Sequence, residues 1–248
     1  MEKEKYKSNI WKSYVYDFMK NFTLFSGVLV PFFTIWGGIT FAQIMILQAI
    51  FTFSMFLFEI PTGVIADKFG RKTSLILSGL VTGIAALVYS SYANFWIFAL
   101  GEVLWAIGST LSSGADSALV YDSLKEIKEE KKSKNIFNRV ETLGLIAIMF
   151  SAPLGSLIAK QFGLNWAMIL TSIPMFIAVI IGLTFKEPPT GEKKEQRNYF
   201  KILKSGMEYF KEHKILKILT ADYVAIMTLS FFMIWVYQVV LKNLNFPL

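Results

Sequence analysis

Long apolar runs separated by short charged segments dominate the chain from end to end. Seven runs come close to the roughly 20 residues that a helix rising ~1.5 Å per residue needs to cross a ~30 Å bilayer core. The runs predict membrane-spanning helices at residues 17–36, 41–60, 73–92, 95–120, 140–158, 166–185 and 216–241. The pattern therefore predicts an all-α polytopic membrane protein with seven spans.

The basic residues lie almost entirely on one side of these predicted spans. Of the 25 Lys and Arg residues, all but Lys160 and Lys242 fall in or beside the N-terminal segment and in alternate connections between spans. Lys and Arg are enriched on the cytoplasmic side of membrane proteins. We therefore expect a multi-pass protein of the cell (plasma or inner) membrane, embedded in the lipid bilayer, with its N-terminus in the cytoplasm.

The composition excludes several kinds of chemistry. The chain has no cysteine, and its one histidine, His213, lies in a charged segment without a ligand set nearby. Disulfides, thiolate metal sites and cysteine nucleophiles are therefore excluded. The positive-inside pattern accounts for the net charge of +7, so this charge does not predict nucleic-acid binding. We expect no cofactor, no bound metal and no enzymatic activity.

A short segment between the second and third spans carries the most specific pattern. Residues 63–72 read GVIADKFGRK and have the order G-x-x-x-D-[RK]-x-G-R-[RK]. The matching positions of this signature segment are Gly63, Asp67, Lys68, Gly70, Arg71 and Lys72. We expect a tight turn whose two glycines allow close packing and a sharp reversal. The alternative interpretation is an ordinary basic loop.

The signature segment resembles the loop between the second and third spans of the major facilitator superfamily of transporters. The resemblance covers nearly the whole chain, whereas the chain covers the first six-helix half of that architecture and one further helix. It implies a six-helix bundle at residues 1–185, a cytoplasmic linker at 186–214 and a seventh span at 215–248 that begins an incomplete second bundle. Apolar residues at helical spacing among the linker's lysines predict an amphipathic helix on the inner membrane surface.

The resemblance also assigns roles to charged residues at the cytoplasmic side. In the superfamily, a substrate site lies near the membrane midplane between two halves that rock against each other. The signature loop is thought to latch these halves, and an acid at the end of the fourth span joins its Asp and Arg. The resemblance gives that position to Asp122, with Arg71 as its partner. The alternative is a solvated acid that begins a charged loop.

The fourth predicted span is unusually polar. At 100° per residue, one helical face holds Glu102, Trp105, Ser109, Ser112 and Asp116. A carboxylate that faces lipid would cost several kcal/mol, so we expect this face to meet protein or a water-filled cavity. Glu102 stands where the family often has an arginine. Because desolvation favours a protonated carboxyl, Glu102 is a candidate proton carrier, and a structural hydrogen-bonded carboxyl is the equal alternative.

Further candidates lie in other spans. Trp105, Asp116 and Asp222, which is in the seventh span, are candidates for substrate or proton coupling beside Glu102. Pro153 and Gly155 resemble a proline and glycine pattern that many superfamily members carry in the fifth helix, although Pro153 as a simple helix bend is the alternative. In the third span, two glycines four residues apart, Gly79 and Gly83, predict the close approach of another helix.

Together with these features, the resemblance implies a permease, a secondary active transporter that moves a small molecule by alternating access, as proton-coupled efflux. The acids and Trp105, without an intramembrane Arg or His, favour a lipophilic or cationic solute. The chain would be a truncated or split form, or would take its missing helices from a second chain or a homo-oligomer.

Three alternatives come from other classes of protein. One is a non-transporting accessory protein or inactive remnant. Another is a seven-helix receptor, although receptors of that kind have an external N-terminus. The third is a membrane-embedded phosphoryl-transfer enzyme, which is disfavoured because Asp67, Asp116 and Asp122 form no compact motif.

Overall fold

A computed structural model describes residues 2–189 and 199–243. The chain divides into two compact units, Met1–Gly191 and Glu192–Leu248. All regular structure in the described residues is helical. Within these residues, seven helical segments are long and apolar enough to cross a membrane, which confirms the predicted number of spans.

The first unit contains six of these spans. Their helices are Glu2–Asn21, Phe41–Phe69, Arg71–Ser91, Phe95–Ser112 followed by Ala115–Glu126, Ser133–Phe162 and Leu164–Thr184. The third span packs against the fourth and the sixth, the second packs on the fourth, and the first packs against the fifth and sixth. We call the end of this unit at which the sixth span finishes, near Thr184, the linker end.

The second unit contains two helices. The linker helix spans Tyr199–Glu212, and the seventh span is the helix Lys214–Asn243. Between them, the ring of His213 stacks on Tyr209 with ring centroids 3.7 Å apart. Residues 190–198 of the predicted linker lie outside the described residues. The predicted domain boundaries and the placement of the linker helix on the membrane surface stay predictions.

The first span is not the continuous helix that its apolar run predicts. Its helix ends at Asn21, and Thr23 has an extended backbone (φ −101°, ψ 98°). Three short helical pieces then continue the span as far as Trp36. The predicted span at residues 17–36 is present, but it is not one helix, because the chain departs from helical geometry where it meets the fifth span.

Contacts with the fifth and sixth spans explain this irregular segment. A Cβ atom on Gly155 would collide with the backbone carbonyl of Leu24, so the approach requires glycine. The Ser151 hydroxyl donates to the carbonyl of Thr23 at 3.1 Å, and the Leu24 amide donates to the Thr171 hydroxyl at 3.1 Å. These bonds satisfy backbone groups that the break would otherwise leave unpaired in the membrane.

The fourth span also differs from its prediction. Instead of one helix over 95–120, it consists of two helices separated at Gly114, which has a left-handed backbone (φ 71°). Asp116 lies in the first turn of the second helix, where its carboxylate accepts the amide hydrogen of Ser117 at 2.6 Å. The predicted polar face is therefore continuous as far as Ser112, and Asp116 does not belong to it.

The reversal in the signature segment is shorter than predicted. The second-span helix continues through Gly63 to Phe69, and the third-span helix begins at Arg71. Gly70 alone makes the turn, with φ 97° and ψ 156°, a conformation that residues with a Cβ rarely adopt. The expected contribution of Gly63 to the reversal is wrong, because this residue is helical.

The glycines of the third span admit the sixth span, as predicted. A Cβ on Gly79 would lie 2.9 Å from Cγ2 of Val179, and a Cβ on Gly83 would lie 2.8 Å from the Phe176 ring. Both distances are shorter than ordinary van der Waals contact. The small residues therefore set how closely these two helices pack.

We predict that Gly155→Ala lowers the free energy of unfolding by about 2 kcal/mol, because the new methyl group forces the Leu24 backbone to move. Gly63→Ala is the matched control, since its Cβ position has no neighbouring atom within 4 Å. Thermal unfolding of both variants in detergent measures the difference. If Gly155→Ala is as stable as Gly63→Ala, the close contact between the first and fifth spans does not exist.

Candidate functional site

The predicted partnership of Arg71 and Asp122 is present at the linker end. The guanidinium of Arg71 forms a hydrogen-bonded ion pair with the Asp122 carboxylate. The same nitrogen donates to the backbone carbonyl of Ala118 at 2.7 Å. The two side chains keep only 24% and 21% of their surface exposed, so water screens this pair less than a surface salt bridge. The pair joins the start of the third span to the end of the fourth.

A buried asparagine connects the first, fourth and sixth spans at the same end. The amide nitrogen of Asn9, which is 0% exposed, donates to the Ser123 hydroxyl at 2.9 Å and to the carbonyl of Lys186 at 2.7 Å. Its side-chain oxygen accepts the amide hydrogen of Lys186 at 3.0 Å. The Asn9 side chain therefore both donates to and accepts from the backbone of Lys186, just beyond the sixth span.

Two lysines bind the last carbonyls of the sixth-span helix. Lys12 Nζ donates to the carbonyl of Thr184 at 2.8 Å, and Lys72 Nζ donates to the carbonyl of Leu183 at 2.7 Å. Carbonyls in the last turn of a helix have no partner within that helix, and their partial negative charge favours a cation. We define the linker-end layer by these side chains together: Asn9, Lys12, Arg71, Lys72, Asp122 and Ser123.

The other residues of the signature segment flank this layer. Asp67 and Lys68 lie in the last turn of the second-span helix. Asp67 interacts electrostatically with Arg71 across the turn, whereas the ammonium of Lys68 lies 5.5 Å from the ring centroid of Phe69. Asp67 is thus close enough to Arg71 for their charges to interact.

The second group of candidates lies inside the membrane around Glu102. This side chain is only 4% exposed. Gln48 of the second span donates from Nε2 to a Glu102 carboxylate oxygen at 2.9 Å, and the Tyr89 side chain in the third span also interacts with this carboxyl. The carboxyl is thus held by side chains from two other spans. This arrangement can stabilise a proton or a bound cation.

Aromatic rings form one wall of this group. The Trp105 ring contacts Phe25 edge-on, with centroids 5.3 Å apart, and Tyr89 at 6.2 Å. Trp105 is half-buried one helical turn from Glu102. An acid beside a partly accessible indole ring is a combination that binds organic cations, because both groups attract positive charge.

The remaining candidates lie elsewhere. Asp116 forms an ion pair with Lys20 at 3.5 Å, and it lines a cavity of about 60 Å³ together with Asp17 and Glu141. This cavity has room for a few water molecules. Asp222 lies in the second unit and stays a candidate by its position in the sequence.

The proline and glycine of the fifth span differ in what the structure shows for them. The helix Ser133–Phe162 continues through Pro153 without a break. Gly155 has the packing role described above. A gating role for either residue stays a prediction.

Sequence reasoning missed four side chains at these sites. Gln48 and Tyr89 hold Glu102, the Glu59 carboxylate accepts a hydrogen bond from the Ser113 hydroxyl at 2.9 Å, and the Glu187 carboxylate binds the start of the third span. Gln48 and Glu59 carried a signal, since each is a polar residue inside the apolar run 41–60. Tyr89 and Glu187 carried none, because each is ordinary at a span's end.

We predict that Arg71 and Asp122 are energetically coupled by about 0.5–3 kcal/mol, as is typical of residues in one salt-bridge network. The free energies of unfolding of Arg71→Gln, Asp122→Asn and the double variant give this coupling. Either single variant leaves a partly buried charge without its partner, so the second substitution costs less than the first. Additive effects of the two substitutions would contradict the pairing.

Comparisons with known proteins agree with this geometry. The family model of the Major Facilitator Superfamily matches residues 17–248. The chain is 26% identical over 166 residues to an uncharacterized transporter of Buchnera aphidicola. This aligned region covers 63% of this chain and 40% of that protein. It is 22% identical over 188 residues to the uncharacterized MFS-type transporter YxaM of Bacillus subtilis. This second aligned region covers 74% of this chain and 46% of YxaM.

Two further comparisons concern a third relative and a solved structure. The inner membrane transport protein YajR of Escherichia coli is 30% identical over 149 residues, covering 56% of this chain and 30% of YajR. The crystal structure of the POT family transporter PepTSo has the same fold, with a TM-score of 0.63 and 18% identity over 80% of this chain and 42% of that one. This chain thus spans less than half the length of these relatives. By its family match over residues 17–248, the chain belongs to the Major Facilitator Superfamily.

Proposed function

We propose that this chain is part of a secondary active transporter that moves a small molecule across the cell membrane by alternating access, in proton-coupled efflux. The family and the names of its relatives point to transport rather than catalysis. The observation that carries the proposal is the Arg71–Asp122 pair, formed from the family's signature segment and the end of the fourth span. In the proposal, the helices that complete the transporter lie in further sequence or in a second chain.

The linker-end layer gives the first bundle the stiffness that alternating access needs. A bundle that rocks as a body must keep its spans together while its outer contacts change. The layer joins the first, third, fourth and sixth spans through Asn9, Lys12, Lys72 and the Arg71–Asp122 pair. In the proposal this end faces the cytoplasm, as the distribution of basic residues indicates. Asp67, beside the layer, then latches the second bundle in one of the two states.

Coupling to protons is proposed to use Glu102. Its carboxyl is nearly excluded from solvent, receives a hydrogen bond from Gln48 and interacts with Tyr89. Binding of a cationic solute near Trp105 favours the ionised carboxylate, and binding of a proton removes that charge. Proton and solute would therefore compete for one site, which is a sufficient basis for exchange of one against the other.

We predict that Asp67→Asn and Arg71→Ala each lower the transport rate of the complete transporter while insertion into the membrane persists. The reason is that each removes a charge from the latch at the linker end. Uptake of a fluorescent lipophilic cation into inverted vesicles measures transport. Lys125→Gln is the matched control, since it removes an exposed charge from the same end. Native transport rates in both Asp67→Asn and Arg71→Ala would contradict the proposed latch.

We predict that Glu102→Gln abolishes the dependence of transport on a pH gradient, because glutamine can still accept the hydrogen bond from Gln48 but carries no titratable proton. The measurement compares cation uptake in vesicles with and without an imposed gradient. Glu126→Gln, at the end of the fourth span, is the control and keeps the dependence. A Glu102→Gln variant that still responds to the gradient would exclude this carboxyl as the proton carrier.

A further inference from the structure

The Glu187 carboxylate binds the first two amides of the third-span helix. Its Oε1 accepts the amide hydrogen of Arg71 at 2.8 Å, and its Oε2 accepts that of Lys72 at 2.7 Å. Glu187 lies three residues beyond Thr184, where the sixth-span helix ends and the linker begins. Amides in the first turn of a helix have no partner within that helix, and a negative charge there is favourable. The two oxygens of the Glu187 carboxylate thus each accept a hydrogen bond from the first turn of the same helix.

Gly70 makes room for this carboxylate. A Cβ atom at Gly70 would lie 3.0 Å from both Cδ and Oε1 of Glu187, closer than nearly all contacts that real Cβ atoms make. The positive φ of 97° at Gly70 turns the next two amides toward the linker. The second glycine of the signature segment therefore serves two purposes. It reverses the chain, and it admits an acid from a residue more than a hundred positions away.

The backbone around Glu187 is fixed on both sides. Lys186, the preceding residue, exchanges two backbone hydrogen bonds with the Asn9 side chain. Lys72, one of the two residues whose amides Glu187 accepts, also donates from its ammonium to the carbonyl of Leu183. Glu187 itself is exposed, and the bonds of Lys186 and Lys72 fix the backbone on both sides of its contact with the third span.

We propose that Glu187 is a positioning residue for Arg71. By holding the amides of Arg71 and Lys72, its carboxylate fixes the first turn of the third-span helix. The Arg71 guanidinium extends from that turn to the Asp122 carboxylate and the Ala118 carbonyl. The start of the linker is thereby joined to the charge pair of the signature segment. A role of Glu187 in transport rests on the proposed function, whereas its positioning of Arg71 does not.

Hydrogen exchange tests the contact without any transport assay. In the detergent-solubilised full chain, peptides covering residues 69–76 of Glu187→Ala are expected to take up two additional deuterons at early times, one for each amide released. Glu187→Gln has one acceptor oxygen and is expected to release one. The control Glu126→Gln should match the native chain. Unchanged uptake in Glu187→Ala, or a rise along the whole third span, would overturn the proposal.

A thermal double-mutant cycle tests the positioning of Arg71. Glu187→Gln is expected to lower the midpoint of thermal unfolding in the native background and to lower it less in Asp122→Asn, where Arg71 has already lost its partner. Equal losses in the two backgrounds would overturn positioning, since Glu187 would then act independently of the pair. Because neither experiment measures transport, the positioning of Arg71 can hold even if the transporter proposal fails, and the reverse is also possible.

Discussion

Polar groups at helix ends and helix breaks must find partners inside the protein, and this constraint shapes the first bundle more than any other. Lipid offers no hydrogen bonds, so an unpaired backbone group costs several kcal/mol there. The break in the first span is satisfied by Ser151 and Thr171. At the linker end, Lys12 and Lys72 bind the last carbonyls of the sixth span, and Glu187 binds the first amides of the third. Each partner comes from another span or, in the case of Glu187, from the segment that follows the sixth span, so satisfying the backbone also fastens the bundle.

The same constraint separates two kinds of charge in this chain. In the linker-end layer, the charged side chains are paired with each other or with backbone groups, which suits a bundle that moves as one body. Glu102 is different, because it is buried away from the ends and its partners are the neutral side chains of Gln48 and Tyr89. A carboxyl without a fixed countercharge can change its protonation state with less structural consequence. This difference is the physical reason for assigning stiffness to one group and coupling to the other.

The sequence predicts some of these features because they are local, and it misses others because they depend on distant contacts. Seven spans follow from apolar runs, which are local, whereas the pairing of Arg71 with Asp122 follows from the resemblance to the family. The break at Gly114 and the irregular first span do not, since an apolar run looks the same whether its helix is continuous or broken. Gly155 is an example, because the backbone carbonyl of Leu24, far away in the sequence, occupies the space that a side chain at this position would need. Glu187 was missed for the same reason, because an acid after a span resembles any charged linker residue.

The central claim is that the linker-end layer faces the cytoplasm. Labelling of single introduced cysteines tests it most directly, since the native chain has no cysteine. Lys68, just before the third span, and Asn94, just after it, lie on opposite sides of the membrane and are both exposed. A membrane-impermeant maleimide applied to intact cells should label Asn94→Cys and should label Lys68→Cys only after the membrane is permeabilised. Labelling of Lys68→Cys in intact cells, with protection of Asn94→Cys, would contradict the claim.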